Sequence, residues 1–221
     1  MLQLVCGAII AVLTSICVEY LRRPNLKLSI ENPPCETKYE NRPAKNMRVV
    51  RLHLFNQPLP NWIRWMLRGP ALQCRGTVTF HHLDGQNVFG RTMAIRWSGS
   101  PEPVPLQAIT ADGGRLQIFD PLRLTTESRI DVYPGERELL DVAVRLDEDE
   151  DCYGWNNETY FCATPWRNAN WKLSRGRYLV KVTISSSGQK CVGVFRLLND
   201  VARSDFRLEP ATREDKSLVR A

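Results

Sequence analysis

The sequence contains little histidine, only 3 of its 221 residues. His53 falls on the polar side of one alternating run, and His81 and His82 end another. No Cys, Ser or carboxylate is spaced around them as in a catalytic triad or a metal-ligand set. The chain also lacks a glycine-rich phosphate loop, internal repeats and strand–helix alternation. These absences argue against a histidine-dependent or nucleotide-binding enzyme, so we expect no catalytic residue, no cofactor and no small-molecule substrate.

Charge is absent from residues 2–18. A helix of this length, extended into the interface by Glu19 and Tyr20, reaches the lower limit for crossing a hydrocarbon core of about 30 Å. A cleaved signal peptide is the alternative, but no Lys or Arg precedes the run and no small-residue cleavage site follows it. The sequence therefore predicts a transmembrane anchor over residues 1–23, with residues 2–20 in the lipid bilayer.

Basic residues follow the apolar run. Between residues 21 and 51, eight Lys and Arg stand against three Glu. The positive-inside rule then places the C-terminal domain of a single-pass protein in the cytoplasm. The same charges can contact anionic headgroups, each contributing about 1 kcal/mol near the surface. A solvated basic linker without a lipid role is the alternative, and no recognition motif for nucleic acid accompanies these charges.

Cysteine usage bears on the compartment. Of seven cysteines, five lie beyond the anchor, and this odd number favours a reducing environment over a disulfide scaffold. Two features favour the extracytoplasmic alternative. Cys152 and Cys162 could close one loop, and Asn157-Glu158-Thr159 is a glycosylation sequon. We expect the cytoplasmic side.

Period-2 alternation predicts strands through the rest of the chain. The alternating runs lie at 26–30, 50–54, 74–81, 93–97, 130–132, 140–146, 178–184, 191–197 and 206–208. One apolar face per strand predicts an all-β fold in which antiparallel sheets pack over a shared core, a β-sandwich over residues 24–209. In the run at 140–146, Leu140, Val142, Val144 and Leu146 are expected on one face. Residues 210–221 are expected to form a flexible charged tail.

The segment after Trp166 and Trp171 has a recognisable pattern, Leu173-x-x-Gly176-x-Tyr178, followed by an alternating strand. It resembles the end of an immunoglobulin-like or fibronectin type III-like domain. The resemblance implies that the Tyr178 hydroxyl bonds back to the preceding corner. The Cys…Trp…Cys spacing of true immunoglobulin domains is absent, and the connection at 98–128 is long. The anchor leading directly into a strand is similar to small bitopic prokaryotic proteins.

Acidic residues cluster at 147–151. Asp147, Asp149, Asp151 and Glu158 fall at positions 1, 3, 5 and 12 of an EF-hand-like count, which would suit Ca²⁺. Position 6 is Cys152 instead of the required glycine, and the flanking elements are not helical. We therefore expect a solvated acidic loop and keep a metal site as the alternative.

Aromatic residues concentrate next to this loop, interleaved with Asn and Arg. That composition is typical of a recognition loop for a protein partner or a sugar. The candidate partner-binding residues are Trp155, Asn157, Tyr160, Trp166 and Arg167. The alternative is structural, with Trp166 and Trp171 closing the open end of the sandwich.

A second aromatic segment lies at 60–68. On a two-turn helix, Trp62 and Trp65 share one face and Arg64 and Arg68 line up, which suits a membrane interface. A loop packed on the sandwich is the alternative. The candidate membrane-interface residues are Tyr20, Arg22, Arg23, Trp62 and Trp65.

These patterns predict a non-catalytic, membrane-anchored binding or scaffold module that presents residues 152–171 to a protein partner. An exported domain that binds calcium or glycan through residues 147–171 is the second hypothesis. An enzyme with unrecognised chemistry is the third.

Overall fold

This computed structural model describes residues 2–37, 47–63, 66–101, 106–109, 111–113, 115–118, 129–146, 149–162, 164 and 166–219. The α-helices within these residues are α1 (Leu2–Arg22) and α2 (Arg213–Leu218). The strands are β1 (Leu26–Ile30), β2 (Cys35–Thr37), β3 (Met47–Asn56), β4 (Ala71–His81), β5 (Met93–Ala94), β6 (Arg96–Trp97), β7 (Leu106–Ile109), β8 (Arg115–Ile118), β9 (Ile130–Val132), β10 (Arg137–Leu146), β11 (Cys152–Gly154), β12 (Lys172–Leu173), β13 (Arg177–Ser186), β14 (Gln189–Leu198) and β15 (Arg207–Pro210).

Helix α1 is long and apolar enough to cross a membrane. Its 21 residues span about 31 Å at 1.5 Å per residue, the thickness of a bilayer's hydrocarbon core. None of the apolar window Val5–Arg22 is buried against the rest of the chain. The described side chains of this helix are therefore exposed or half-buried, and none of them lies in the core of the domain.

Apart from β7 and β8, the strands form two antiparallel sheets. The first sheet has the order β1-β3-β10-β11-β12, with β2 also beside β3 and β6 also beside β10. The second has the order β15-β14-β13-β4-β5, with β9 also beside β4. A separate two-stranded hairpin, β7-β8, lies in the long connection where the sequence predicted no strand. The predicted all-β fold behind an N-terminal helix is confirmed.

The core lies between the two sheets. Its largest fully buried side chains come from both, with Trp97 and Leu52 on the first sheet and Phe80 and Ile184 on the second. Burying each such side chain contributes about 1.5–3 kcal/mol, which is why the alternating apolar positions determine the strands. The predicted inward faces of β13 and β14 are confirmed, because Tyr178, Val180, Val182, Ile184, Phe195 and Leu197 all lie in this core.

A β-bulge in β10 makes one prediction wrong. Asp141 pairs with Arg51, but Ala143 pairs with Val50, so one residue of β10 is inserted between them. The insertion reverses the alternation beyond it. Leu140 and Val142 face the inter-sheet core, whereas Val144 and Leu146 face a second apolar cluster. The four residues therefore do not share one face.

The hydrogen bond implied by the resemblance is present. The Tyr178 hydroxyl donates to the Ser174 carbonyl oxygen at 2.8 Å, four residues back at the corner that precedes β13.

The C-terminal segment is packed on the second sheet. Thr212 caps α2, and its side chain and that of Asp215 exchange hydrogen bonds with each other's backbone N–H groups. Ala211, Asp215 and Val219 are buried, and the Lys181 ammonium donates to the Val219 carbonyl oxygen at 2.7 Å. Residues 211–219 thus cover a sheet face, where the sequence predicted only a charged tail.

Candidate functional site

The aromatic-rich segment 152–171 lies along the first sheet. It begins as β11, which pairs with both β10 and β12, and continues through one-turn 3₁₀ helices at Asn157–Phe161 and Ala169–Trp171. Its aromatic side chains cover the apolar cluster that the bulge exposes on the outer face. That cluster comprises Met47, Val49, Val144, Leu146, Tyr153 and Trp155, with Tyr160 and Trp166 packed against it.

Several of the aromatic side chains are structural. Trp155 is only 4% exposed and meets the Tyr160 ring edge-on, with centroids 5.6 Å apart. Trp171 lies in the inter-sheet core, and its indole N–H donates to the Glu158 carboxylate at 2.9 Å. Trp166 packs on the outer cluster instead of closing the sandwich. Among the candidate partner-binding residues, Trp155 therefore forms the floor of the site, and half-buried Tyr160 stands beside it.

Polar contacts fix the conformation of this segment. Arg167 donates from two nitrogens to Asp149, at 2.6 and 3.1 Å. The buried side chains of Asn156 and Thr159 form a capping box at the start of the first 3₁₀ helix. A segment held in this way loses little conformational entropy when it binds a partner, because it is already ordered.

The acidic residues are not gathered around one point. Asp149 contacts Arg167, Asp151 contacts Lys172 at 2.7 Å, and Glu158 accepts from Trp171. Asp147 lies outside the described residues. Within the described part of the chain, no three His, Cys, Asp or Glu side chains come close enough together to hold a metal ion.

A groove of about 390 Å³ lies between the aromatic segment and the outer face of the first sheet. Its lining residues are Met47, Val49, Arg51, Arg96, Ser98, Ser100, Pro101, Asp141, Trp155 and Tyr160. Apolar and aromatic side chains from the cluster form one wall, and polar groups from β3, β6 and β10 form the other.

The polar wall is an ordered network. The buried carboxylate of Asp141 accepts from the Arg51 guanidinium at 2.6 Å and from the Ser98 hydroxyl at 2.7 Å. Arg51 and Asp141 are direct cross-strand partners on the outer face, so the register of β3 and β10 brings them together.

Arg96 connects this wall to the aromatic segment. Its buried guanidinium donates to the Ser100 carbonyl oxygen at 2.6 Å and to the Asn157 side-chain oxygen at 2.9 Å. It also lies 5.1 Å from the centre of the Tyr160 ring, within cation–π distance. The described lining thus carries two guanidinium groups and one carboxylate, which favours a ligand with carbonyl or carboxylate oxygens.

Sequence reasoning found the aromatic half of this groove and missed the polar half. Arg96 and Asn157 are 61 positions apart, and no local pattern connects them. The sequence does contain a signal for the second contact, between Arg51 and Asp141, because both are charged residues within alternating strand runs. Their pairing becomes visible only once the strand register is known.

At the end of α1, a loop formed by the described residues of 57–70, which exclude 64 and 65, contacts the last helical turn. The Gly69 amide donates to the Arg22 carbonyl oxygen at 2.6 Å, and Arg68 donates to the Arg23 carbonyl oxygen at 2.9 Å. In the same loop, Trp62 is 81% exposed and Leu67 is 77% exposed. The predicted helix at 60–68 is reduced in the described residues to the 3₁₀ turn Asn61–Ile63, and Trp65 lies outside them.

The cysteine thiols and His81, the histidine that ends β4, are in environments typical of structural residues. All seven cysteines are free, including Cys152 and Cys162. Burial raises the pKa of the Cys152 thiol, and burial together with the nearby Glu158 raises that of Cys162. Both ring nitrogens of His81 are engaged, with the Gly85 carbonyl oxygen at 2.9 Å and the Thr79 hydroxyl at 2.8 Å.

Comparisons of the chain with models of known protein families, with curated proteins and with solved structures found no match.

Proposed function

We propose that this chain is a non-catalytic, single-pass membrane protein whose β-sandwich binds a protein partner in the groove beneath segment 152–171. The observation that carries the proposal is the ordered groove itself. One wall is aromatic, the other is a fixed Arg51–Asp141–Ser98 network, and Arg96 connects the two. Fixed donors beside an aromatic surface are typical of protein-binding sites.

The partner's chemistry follows from the lining. A segment of polypeptide offers carbonyl oxygens to Arg51 and Arg96, and it can place an apolar side chain against Trp155 and Tyr160. An acidic side chain near the two guanidinium groups would strengthen the complex. Of the candidate partner-binding residues, Tyr160 contacts the ligand in this proposal, while Asn157 and Arg167 hold the segment in place.

Membrane attachment is the second part of the proposal. Residues 2–20 cross the bilayer, and the exposed Trp62 and Leu67 enter its interface beside Tyr20, Arg22 and Arg23. The support is the pair of hydrogen bonds that hold the 57–70 loop against the end of α1. Indole and guanidinium groups at that level suit the headgroup region. The excess of basic residues after the helix supports a cytoplasmic domain.

We also propose that the sandwich belongs to the immunoglobulin-like or fibronectin type III-like group. The hydrogen bond from Tyr178 to Ser174 supports this, because it resembles the tyrosine corner of those domains.

Site-specific photo-crosslinking tests the binding proposal. The full-length chain is expressed in its native membrane with photoreactive benzoylphenylalanine in place of Tyr160 or, as the matched control, of exposed Tyr133. We expect a discrete protein adduct from position 160 and none from position 133. A Ser100→Trp change, which fills the groove, should remove that adduct without lowering the melting temperature. No adduct from position 160, or an adduct that survives Ser100→Trp, contradicts the proposal.

A further inference from the structure

The second sheet has a strand edge that is only partly covered. Strand β15 pairs with residues 195–198 of β14 and ends at Pro210, opposite Phe195. Proline has no N–H to continue the ladder, and the chain then turns into α2. Within the described residues, positions 189–194 of β14 pair with β13 alone.

The hairpin register shows which backbone groups are available at this edge. The two-residue turn Ser187–Gly188 is closed by the pair Ser186–Gln189. Hydrogen-bonded and non-bonded pairs alternate along an antiparallel ladder. Counting from the closing pair, the N–H and C=O groups of Lys190, Val192 and Val194 are directed away from β13 and toward the open edge. Val192 itself is 48% exposed.

A groove of about 690 Å³ runs along this edge and is also lined by β1, which contacts β14 where the Cys191 thiol donates to the Leu26 carbonyl oxygen at 3.4 Å. Four of its lining side chains carry ammonium groups, and among the described lining residues none is acidic. The basic residues are Lys27, Lys181, Lys190 and Lys216. Leu26, Leu28 and Phe195 supply its apolar surface on the side of the core. The Lys181 ammonium is held by the Val219 carbonyl oxygen, which fixes one charge at the groove.

We propose that this edge binds an extended acidic peptide, which adds a strand to β14 over residues 190–194. About five residues of a partner strand cover this length at about 3.4 Å per residue. Successive side chains of a strand point to opposite faces, so apolar side chains would rest on Leu26 and Leu28 while alternate carboxylates meet the lysines. The site is separate from the groove beneath segment 152–171 and does not depend on it.

Two features select this occupant. Unpaired strand groups are satisfied by another backbone, which gives the affinity, and the four lysines require negative charge, which gives the specificity. Lysines also protect a bare edge against self-association. If the lysines only prevented self-association, an acidic peptide would not bind to this edge. A binding experiment therefore distinguishes a peptide site from simple protection of the edge.

The probe is a fluorescein-labelled ten-residue peptide of alternating valine and glutamate. It is titrated by fluorescence anisotropy into the full-length chain in uncharged nanodiscs. A valine–lysine peptide controls for charge, and a valine–glutamate peptide N-methylated at alternate residues cannot complete the ladder. We expect only the unmodified acidic peptide to bind and to slow amide hydrogen exchange at Lys190, Val192 and Val194.

Charge variants complete the test. Changing Lys27, Lys190 and Lys216 together to Gln should weaken binding at least about tenfold. Changing exposed Arg129, Arg137 and Arg175 to Gln alters the net charge equally and should leave binding within about twofold. Absence of peptide binding overturns the proposal, as does equal binding of the N-methylated peptide. One further result would also overturn it. If nanodiscs that contain phosphatidylserine already slow amide hydrogen exchange at Lys190, Val192 and Val194, and the peptide slows it no further, the edge binds a lipid headgroup instead.

Discussion

The guanidinium of Arg196 holds both carboxylate oxygens of Asp215, at 2.6 and 2.8 Å. Arg196 belongs to β14 and Asp215 to the first turn of α2, so this ion pair fastens the C-terminal helix to the second sheet. The Arg196 side chain is partly exposed, but Asp215 is buried and also accepts from the Thr212 amide at 2.8 Å. These contacts explain why a short charged segment packs instead of fraying.

Asp215 makes the stability of the domain depend on pH. Chiefly because Arg196 donates to it, its pKa is lowered to about 2, against about 3.9 in an unfolded chain. The unfolded chain therefore takes up the proton first, and the contribution of this group is complete above about pH 5 and is lost as the pH falls toward about 2. We expect Asp215→Asn to lower the free energy of unfolding by about 1–2 kcal/mol at pH 7.

Urea unfolding of the full chain in detergent micelles checks this prediction at pH 7 and at pH 2.5. The difference between wild type and Asp215→Asn should shrink at the lower pH. An equal difference at both values would contradict the assignment of the pH dependence to Asp215.

Asn56 joins three segments near the end of α1. Its side chain is fully buried, accepts from the Asn25 amide at 3.1 Å, and donates to the carbonyl oxygens of Gly69 and Val132 at 3.2 and 3.1 Å. Asn56→Ala removes all three hydrogen bonds, of which the one to Val132 is buried and the other two are part-buried, and should destabilise the domain by about 2–3 kcal/mol. Hydrogen exchange at the Gly69 amide, which contacts α1, should become faster. Exposed Asn170→Ala is the control, and equal effects of the two changes on the melting temperature would refute the prediction.

Gly154 lets the aromatic segment approach the core. A Cβ at this position would lie 2.8 Å from the Met93 sulfur and 3.2 Å from the Trp171 Cβ. Gly154→Ala should therefore cost about 1–3 kcal/mol through overpacking. Gly99→Ala is the matched control, since nothing lies within 4 Å of its added Cβ. Chemical denaturation measures both variants, and a Gly154→Ala midpoint equal to that of Gly99→Ala would show that the packing yields without cost.

Two cysteines of the segment should differ in reactivity. Cys152 is fully buried, and burial raises its pKa, whereas Cys162 is half-buried. In the folded chain, a maleimide at pH 7 should modify Cys162 at least about tenfold faster than Cys152, because access and thiolate fraction both limit the reaction. Peptide mapping by mass spectrometry gives both rates. Urea-unfolded chain should label at both sites, and a Cys152–Cys162 disulfide in the purified protein would contradict the prediction.

Particular strands show how much of the fold the sequence could predict. In β13, Tyr178, Val180, Val182 and Ile184 lie in the inter-sheet core as predicted, although Leu179, which was predicted to face outward, is also buried, outside that core cluster. In β10 the same reasoning failed after Asp141. The inserted residue leaves the local sequence apolar, but it moves each following side chain to the opposite face of the sheet. A bulge depends on the partner strand, which no single run reveals.

The candidate site was predictable in composition and not in arrangement. The concentration of aromatic residues identified segment 152–171. It did not indicate that Trp155 and Trp171 are buried while Tyr160 borders a groove. Whether a tryptophan contacts the core or a partner depends on distant strands, here β3 and β4. The charged network under the groove likewise depends on strand register.

The membrane sidedness of the domain can be measured directly. The full-length chain carries Asn170→Cys, an exposed position outside the groove lining. Cells are treated with a membrane-impermeant maleimide before or after permeabilisation, and their membranes are then washed with alkaline carbonate. If α1 anchors a cytoplasmic domain, the chain stays in the washed membranes and the Cys at position 170 reacts only after permeabilisation. Release by carbonate, or labelling of intact cells, would contradict a cytoplasmic module anchored by α1.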